Sequence, residues 1–372
     1  SSDVCSSDLS LAPMHDINLR FTGGNEKANY LLAAGYINQE GIMIGTDYER
    51  WNYNLKADAK IGNLFTLGGS FYGIYDRSHH ADPWGDRGIG TVQYPPIYPV
   101  FSEDGYLGGP HNTPGYENFV SILFRVNYGH PYDTLTDLYE NSSFKTYGNF
   151  FANIELFKGL NFRTAINPYF GLSNNRTYIA KDHNRGPQFS PDMGSASTST
   201  GQTISYSFEN ILTFERDMGN HRINILVGQE YYDMNFNQLS GSREDFDDDD
   251  IPYLAGGKTI TDALDRVTQT RLISQIGRIQ YNFMGKYLLL ASYRRDGSSK
   301  FGPDKKWGNF PSVSAAWRIS EEFFMKSLKP TLNQMKLRVS YGLTGNDKFA
   351  DYRWISRMNQ ARVAIGNDLV TS

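Results

Sequence analysis

Residues 51–61 read WNYNLKADAKI. Trp51, Tyr53, Leu55, Ala57, Ala59 and Ile61 occupy every second position, and Asn52, Asn54, Lys56, Asp58 and Lys60 fill the gaps. Successive side chains of an extended chain point to opposite sides, so this is a strand with one apolar and one polar surface. A helix would scatter the charges around its circumference. The same period predicts twelve strands, over about 14–22, 28–38, 50–61, 64–75, 144–157, 160–173, 204–216, 221–236, 268–283, 286–295, 312–319 and 334–344. Several exceed the roughly 5–6 residues usual in soluble proteins. A tilted strand that crosses a bilayer needs about 9–11.

The predicted connections alternate in length. Short turns follow the odd strands, at 23–27, 62–63, 158–159, 217–220 and 285. Long loops follow the even strands, at 39–49, 76–143, 174–203, 237–267 and 296–311. The link 320–333 is longer than a turn, and its EEFFMKSL predicts a short helix. Short turns at one end and long loops at the other are the pattern of outer-membrane barrels. A soluble β-sandwich gives no reason for it. Trp51, Tyr75, Tyr231, Tyr281, Tyr287 and Tyr341 fall near strand ends, as the aromatic girdles of such barrels do. The fold class expected is therefore all-β, an antiparallel transmembrane β-barrel.

Composition narrows the alternatives. The 36 basic and 40 acidic residues give a net charge of −4, which lacks the basic excess of a nucleic-acid binder. Aromatic residues at 14% argue against a disordered chain. No apolar run approaches the roughly 20 residues of a membrane helix. The single cysteine, Cys5, permits neither an intrachain disulfide nor a cysteine-based zinc site. Residues 1–9, SSDVCSSDL, differ in composition from the rest of the chain and lack the features of a signal peptide. They are expected to be non-native or a loose terminus. No domain boundary is evident within 10–372.

Several ordered segments resemble the SusC/RagA family of TonB-dependent outer-membrane transporters from Bacteroidetes. They are HDINLRFTGG at 15–24, GYINQEGI at 35–42, ERWNYNLKAD at 49–58, RRDGSSKFGPDKKWGNFPSVSAAWRISEEFFMKSL at 294–328 and LNQMKLRVSYGLTGND at 332–347. The resemblance implies a plugged barrel of the 22-stranded class, of which this chain supplies about twelve strands. It places the family's plug, TonB box and amino-terminal extension ahead of the matched region, and the last barrel strands after Ser372. It implies uptake of oligosaccharides or peptides energised through TonB, a SusD-like surface lipoprotein partner, membrane lipid as surroundings, and no covalent chemistry.

The family segments also have local physical readings. Gly23 and Gly24 close the first strand, and Asp296, Gly297 and Ser298 are expected to form a turn in which Gly297 supplies a positive φ. Phe310 and Pro311 are expected to start a strand, where the missing N–H is tolerated. Val313, Ala315, Trp317 and Ile319 form an apolar row. Gly345 and Asn346 close the last matched segment. These are folding and register devices.

Candidate chemistry is sparse. His79 and His80, with Asp76 and Asp82, offer metal-ligating atoms, but adjacent residues of an extended chain point apart. The acidic run 244–250, centred on Asp247, could hold calcium through oxygens, though it lacks the glycine and final glutamate of an EF-hand loop. No other cofactor is expected. Trp84, Tyr94, Tyr98, Phe101, Tyr106, Tyr116 and Trp307 are loop aromatics that could stack on sugar faces or pack peptide side chains. No G-x-S-x-G elbow or phosphate-binding loop occurs, which argues against a surface enzyme. Lys56, Asp58, Lys60, Arg163, Glu209 and Arg278 fall on the polar strand face, where a water-filled barrel uses charge to tune passage or hold a plug. An importer is the first reading, and a passive porin or adhesin barrel is the alternative.

Overall fold

The computed structural model describes residues 11–42, 45–80, 137–181, 193–328, 331–355, 362–365 and 368–371. Its first twelve strands are β1 (Met14–Gly24), β2 (Ala28–Glu40), β3 (Asp47–Ile61), β4 (Phe65–His79), β5 (Leu138–Phe157), β6 (Leu160–Ile179), β7 (Ser195–Met218), β8 (His221–Phe246), β9 (Gly257–Phe283), β10 (Tyr287–Ser298), β11 (Trp307–Arg318) and β12 (Lys336–Gly342). They form one antiparallel sheet in sequence order, and β1 does not pair with β12. The sheet is open. A separate hairpin joins β13 (Arg362–Ile365) to β14 (Asp368–Thr371). Among the described residues no helix is long and apolar enough to cross a membrane.

Register gives the sheet two chemically distinct faces. Directly opposed residues share a face. One such row runs Gly23, Tyr30, Ala57, Gly69, Phe150, Ile166, Phe208, Tyr231, Ile273, Gly297 and Trp307, from β1 to β11. The next row on the other face runs Asn29, Asp58, Gly68, Phe151, Ala165, Glu209, Glu230, Ser274, Asp296 and Gly308. The first face carries the exposed large apolar side chains, such as Leu19, Phe21, Leu55, Val227 and Val339. On the second face even small residues are covered, with Ala165 and Ser274 buried. Crowding on the polar side and spreading on the apolar side mark these as the concave and convex surfaces.

The row also reveals the tilt. Gly23 lies one residue from the short-turn end of β1, whereas Trp307 lies eleven residues from the short-turn end of β11. With the short turns in one plane, the row climbs about 34 Å over ten strand steps of about 4.8 Å, a tilt of about 35°. Strands of closed barrels tilt by about 35–45°. On β3 the apolar column from Trp51 to Ile61 then stands about 25–28 Å tall, close to the apolar band of an outer-membrane barrel. At its upper edge Trp51 is opposed to Tyr75 and its ring lies 4.2 Å from that of Tyr36. At the lower edge of the band on β9 to β11, Tyr281, Phe283, Tyr287 and Trp317 share the convex face. A polar row of Asn210, Gln229, Gln275 and Arg295 interrupts the band on β7 to β10.

All twelve expected strands are present, and most are longer than the alternation indicated. β7, β8 and β9 have 24, 26 and 27 residues, and their extra length lies at the long-loop end. Much of the expected loops 174–203 and 237–267 is therefore strand. The reason is the solvent. Above the apolar band both faces are wet, so pairing continues through sequences such as SASTSTGQ (195–202) without an apolar row to reveal it.

Two local expectations are corrected. Gly297 lies within β10 and has no positive φ. A Cβ there would approach the Trp307 ring to 2.9 Å, so glycine makes room for the indole. Pro311 sits inside β11. Its carbonyl accepts from the Leu343 amide, just past the end of β12, so its missing N–H falls where the ladder stops. Gly159 does use a positive φ, 90°, and a Cβ there would meet the Glu215 carbonyl at 2.3 Å.

The link from β11 to β12 holds two 3₁₀ segments, Ile319–Glu321 and Phe323–Leu328. Glu322 fastens it to the sheet. Its carboxylate accepts from the Tyr287 hydroxyl at 2.7 Å, the Trp317 indole Nε1 at 3.0 Å and the Lys286 ammonium at 3.0 Å. These three donors hold the carboxyl at a pKa of about 2, below its ordinary 4.5. The expectation of a short helix is met by these tighter turns.

In lipid vesicles Leu55→Arg is expected to cost about 2–4 kcal/mol if the site is near the midplane. Lys56→Leu, on the opposite face, should fold almost as well as the parent. Equal folding yields of the two variants, measured by denaturant titration, would mean that the faces are reversed. The Glu322 contacts are stabilising only while the carboxylate is charged. They should be complete above pH 4.5, weaken below it and be gone as pH falls through about 2. The tryptophan fluorescence of the parent should change over that window, and Glu322→Gln should lack the change.

Candidate functional site: the polar concave wall

Every second residue of the alternating strands is delivered to the concave face, so the wall is built by the same pattern that builds the convex band. Lys56, Asp58, Lys60, Arg163, Glu209 and Arg278 all lie on it. They are tied into ladders that cross strands. Asn29 Nδ2 donates to Asp58 at 3.1 Å. Asn149 donates to Asn167, whose own amide donates to Ser207 at 2.9 Å and to Glu209 at 3.0 Å. Arg163 donates to Asn153 at 3.1 Å, and its guanidinium lies 4.2 Å from the centre of the Phe151 ring. Further along, Arg294 bridges Asp296 at 2.8 Å and Ser274 at 2.9 Å. Satisfied networks of this kind fix side chains in place, which gives the wall a defined pattern of donors and acceptors.

Toward the short-turn end the wall also holds unsatisfied groups. A cavity of about 400 Å³ is lined there by Arg222, Asn224, Gln280, Ser314, Lys336 and Arg338, among others. Asn224 Oδ1 and the Nε atoms of Arg278 and Arg318 are buried without a hydrogen-bond partner. Arg222 is held by Asp217 at 2.6 Å. The arrangement can bind polar or charged solutes by hydrogen bonds and charge. Among the described residues no group of His, Asp and Glu is arranged to hold a metal ion.

The other sequence candidates separate in space. His79 turns to Asp47 at 2.8 Å, Asp76 accepts from Ser143 at 2.5 Å, and the ring of His80 faces Tyr139 at 5.8 Å. Asp82 lies outside the described residues, as do Trp84, Tyr94, Tyr98, Phe101, Tyr106 and Tyr116. Trp307 is not a loop residue. It opens β11 on the convex face, with Arg295 4.6 Å from its ring centre. Phe310 covers Gly345 and Gly308, and Asn346 accepts from the Lys348 amide at 2.9 Å. Gly23 lies under the Tyr30 ring, a Cβ on Gly24 would sit 2.6 Å from the Ala28 carbonyl, and Ser298 is buried at the end of β10.

The acidic run is used as a clasp. Asp249 accepts from the Tyr178 hydroxyl at 2.5 Å and from the Lys181 amide at 2.9 Å. Asp247 pairs with Lys258, which draws its carboxyl below the ordinary range, and Asp248 accepts from the Asp250 amide at 3.1 Å. Tyr178, Ala180, Ala196 and Phe246 pack beneath the clasp as a small hydrophobic core. Sequence patterning missed this core because its members come from three strand ends and a loop, with no shared period.

No family model matches the chain. TonB-dependent receptor P3 of Formosa agariphila is 27% identical over 95% of this chain and 35% of its own length. TonB-dependent receptor SusC of Bacteroides thetaiotaomicron is 24% identical over 90% of this chain and 34% of its own length. The chain spans about a third of the length of the curated relatives it matches. Among solved structures, the RagAB peptide importer in its open-open state superposes with a TM-score of 0.74 at 21% identity, over 97% of this chain and 39% of that one. That likeness establishes the barrel fold, and in sequence the chain is similar to TonB-dependent receptors, SusC among them.

Proposed function

We propose that the protein imports oligosaccharides or peptides across the outer membrane, energised through TonB and working with a SusD-like surface lipoprotein. The observation that carries this reading is the two-faced sheet. Its tilt suits a barrel, its convex face suits lipid, and its concave face is a polar wall for a solute path. The names of the relatives, TonB-dependent receptors and a peptide importer, supply the direction and the energy source. Transport of this kind makes and breaks no covalent bond. Cargo shifts the protein between states only as far as it binds them unequally. The concave wall is the surface where that difference would arise, and the reading needs no cofactor.

The test is energised uptake by cells that express the protein at its full natural length. Fluorescent oligosaccharide and peptide probes should accumulate in the periplasm, and a protonophore should abolish the accumulation. Uptake indifferent to the protonophore would favour the passive porin reading. Deletion of 81–136, outside the described residues and outside every strand of the sheet, should leave heat-modifiable migration intact and abolish capture of the lipoprotein. A deletion that keeps both capture and uptake would remove this segment from the function.

A further inference from the structure

The link between β11 and β12 differs from every other connection at its end of the sheet. The others are short, at 25–27, 62–64, 158–159, 219–220 and 284–286, whereas this one runs from 319 to 335. Nor does it extend away from the strands. Glu322 pins it to Tyr287 and Trp317, which are directly opposed on the convex face at the lower rim of the apolar band. Lys286 closes the contact as counter-ion to the carboxylate. One side of the link is packed. Met325 and Ser320 are buried, and the Ser320 amide donates to the Met335 carbonyl at 3.2 Å.

The other side is apolar and uncovered. Phe323 is 80% exposed, Phe324 62% and Leu328 51%. Two consecutive phenylalanines in the open are not needed to hold a turn, since Met325 and Glu322 already do that. The patch continues into the convex column of β12, where Leu337, Val339 and Tyr341 are exposed as well. Among the described residues of the link Lys326 is the cation, with its ammonium 5.1 Å from the centre of the Phe323 ring.

We propose that this link is a membrane-interface anchor. Phe323, Phe324 and Leu328 enter the boundary between acyl chains and headgroups of the leaflet on the short-turn side, and Lys326 lies at the level of the lipid phosphates. The occupant of the patch is lipid, because the patch is continuous with the apolar band and is fastened to the girdle residues of that band. Short amphipathic segments bind membrane surfaces by this division of apolar and basic groups. Glu322 is the positioning residue. Its hydrogen bonds to Tyr287 and Trp317 turn the two phenylalanines toward the bilayer. The proposal rests on the reading of the sheet as an outer-membrane barrel.

Spin-label accessibility separates the two. Cys5→Ser removes the single cysteine of this sequence. In the full-length protein, with any further cysteine also replaced, nitroxides are placed by Phe323→Cys, Phe324→Cys, Leu55→Cys and Lys158→Cys, one at a time. The labelled proteins are folded into phosphatidylethanolamine–phosphatidylglycerol vesicles and checked by heat-modifiable migration. The ratio of relaxation by oxygen to relaxation by a water-soluble nickel chelate should be highest at 55. At 323 and 324 it should be several-fold above that at 158. Ratios at 323 and 324 equal to that at 158, with 55 still lipid-like, would overturn the anchor and leave the barrel standing. Labels at 323 and 324 shielded from both reagents would mean that a protein surface covers the patch, which also overturns it. A water-like label at 55 would overturn the barrel reading itself.

Discussion

A backbone N–H or C=O left unpaired in hydrocarbon costs several kcal/mol. That constraint governs this protein from its sequence to its site. It demands that each strand in the band be bonded on both sides, and the sheet meets the demand from β2 to β11 in unbroken sequence order. It is also why the strands read as alternating rather than continuously apolar. A strand bonded into a single curved layer has one face toward lipid and one toward water, and only the first needs apolar side chains. The exposed Leu19, Phe21 and Val339, unacceptable as a contiguous surface in water, are the expected outer face of such a layer.

The same alternation decides what was legible in the sequence. Trp51 to Ile61 gave both its conformation and its two faces, because an apolar column beside a polar one has no other simple reading. The upper parts of β7, β8 and β9 were hidden, since Ser, Thr, Gly and Asn on both faces look like loop. Gly297 and Pro311 were misplaced for a related reason. Both residues are strong turn signals in isolation, yet one makes room for Trp307 and the other falls where a neighbouring strand has ended. Glu322 carried no signal at all, because its three partners come from a turn and two strand ends.

The candidate site was legible in kind and not in detail. Alternation placed Lys56, Arg163, Glu209 and Arg278 on one face, and the structure keeps them there. It could not show that Glu209 is tied through Asn167 to Asn149 across neighbouring strands. Such ties depend on which residues are opposed, and register is set by the whole ladder rather than by any one strand. The polar wall is thus a consequence of register, and a slip of one residue would exchange it with the lipid face.

Glycine completes the connection between curvature and packing. Within strands glycine ordinarily weakens the ladder, yet several here sit beside a ring. A Cβ on Gly73 would strike Tyr53, one on Gly68 would strike Phe151, and one on Gly171 would strike Tyr169. Each ring lies across a neighbouring glycine and shields the backbone that the missing side chain would expose, a device known to compensate glycine in sheets. Gly73 with Tyr53 lies on the convex face, and Gly68 with Phe151 and Gly171 with Tyr169 on the concave face. Glycine and aromatic residues at these positions are therefore one feature, a ring laid across the strand where a Cβ is missing.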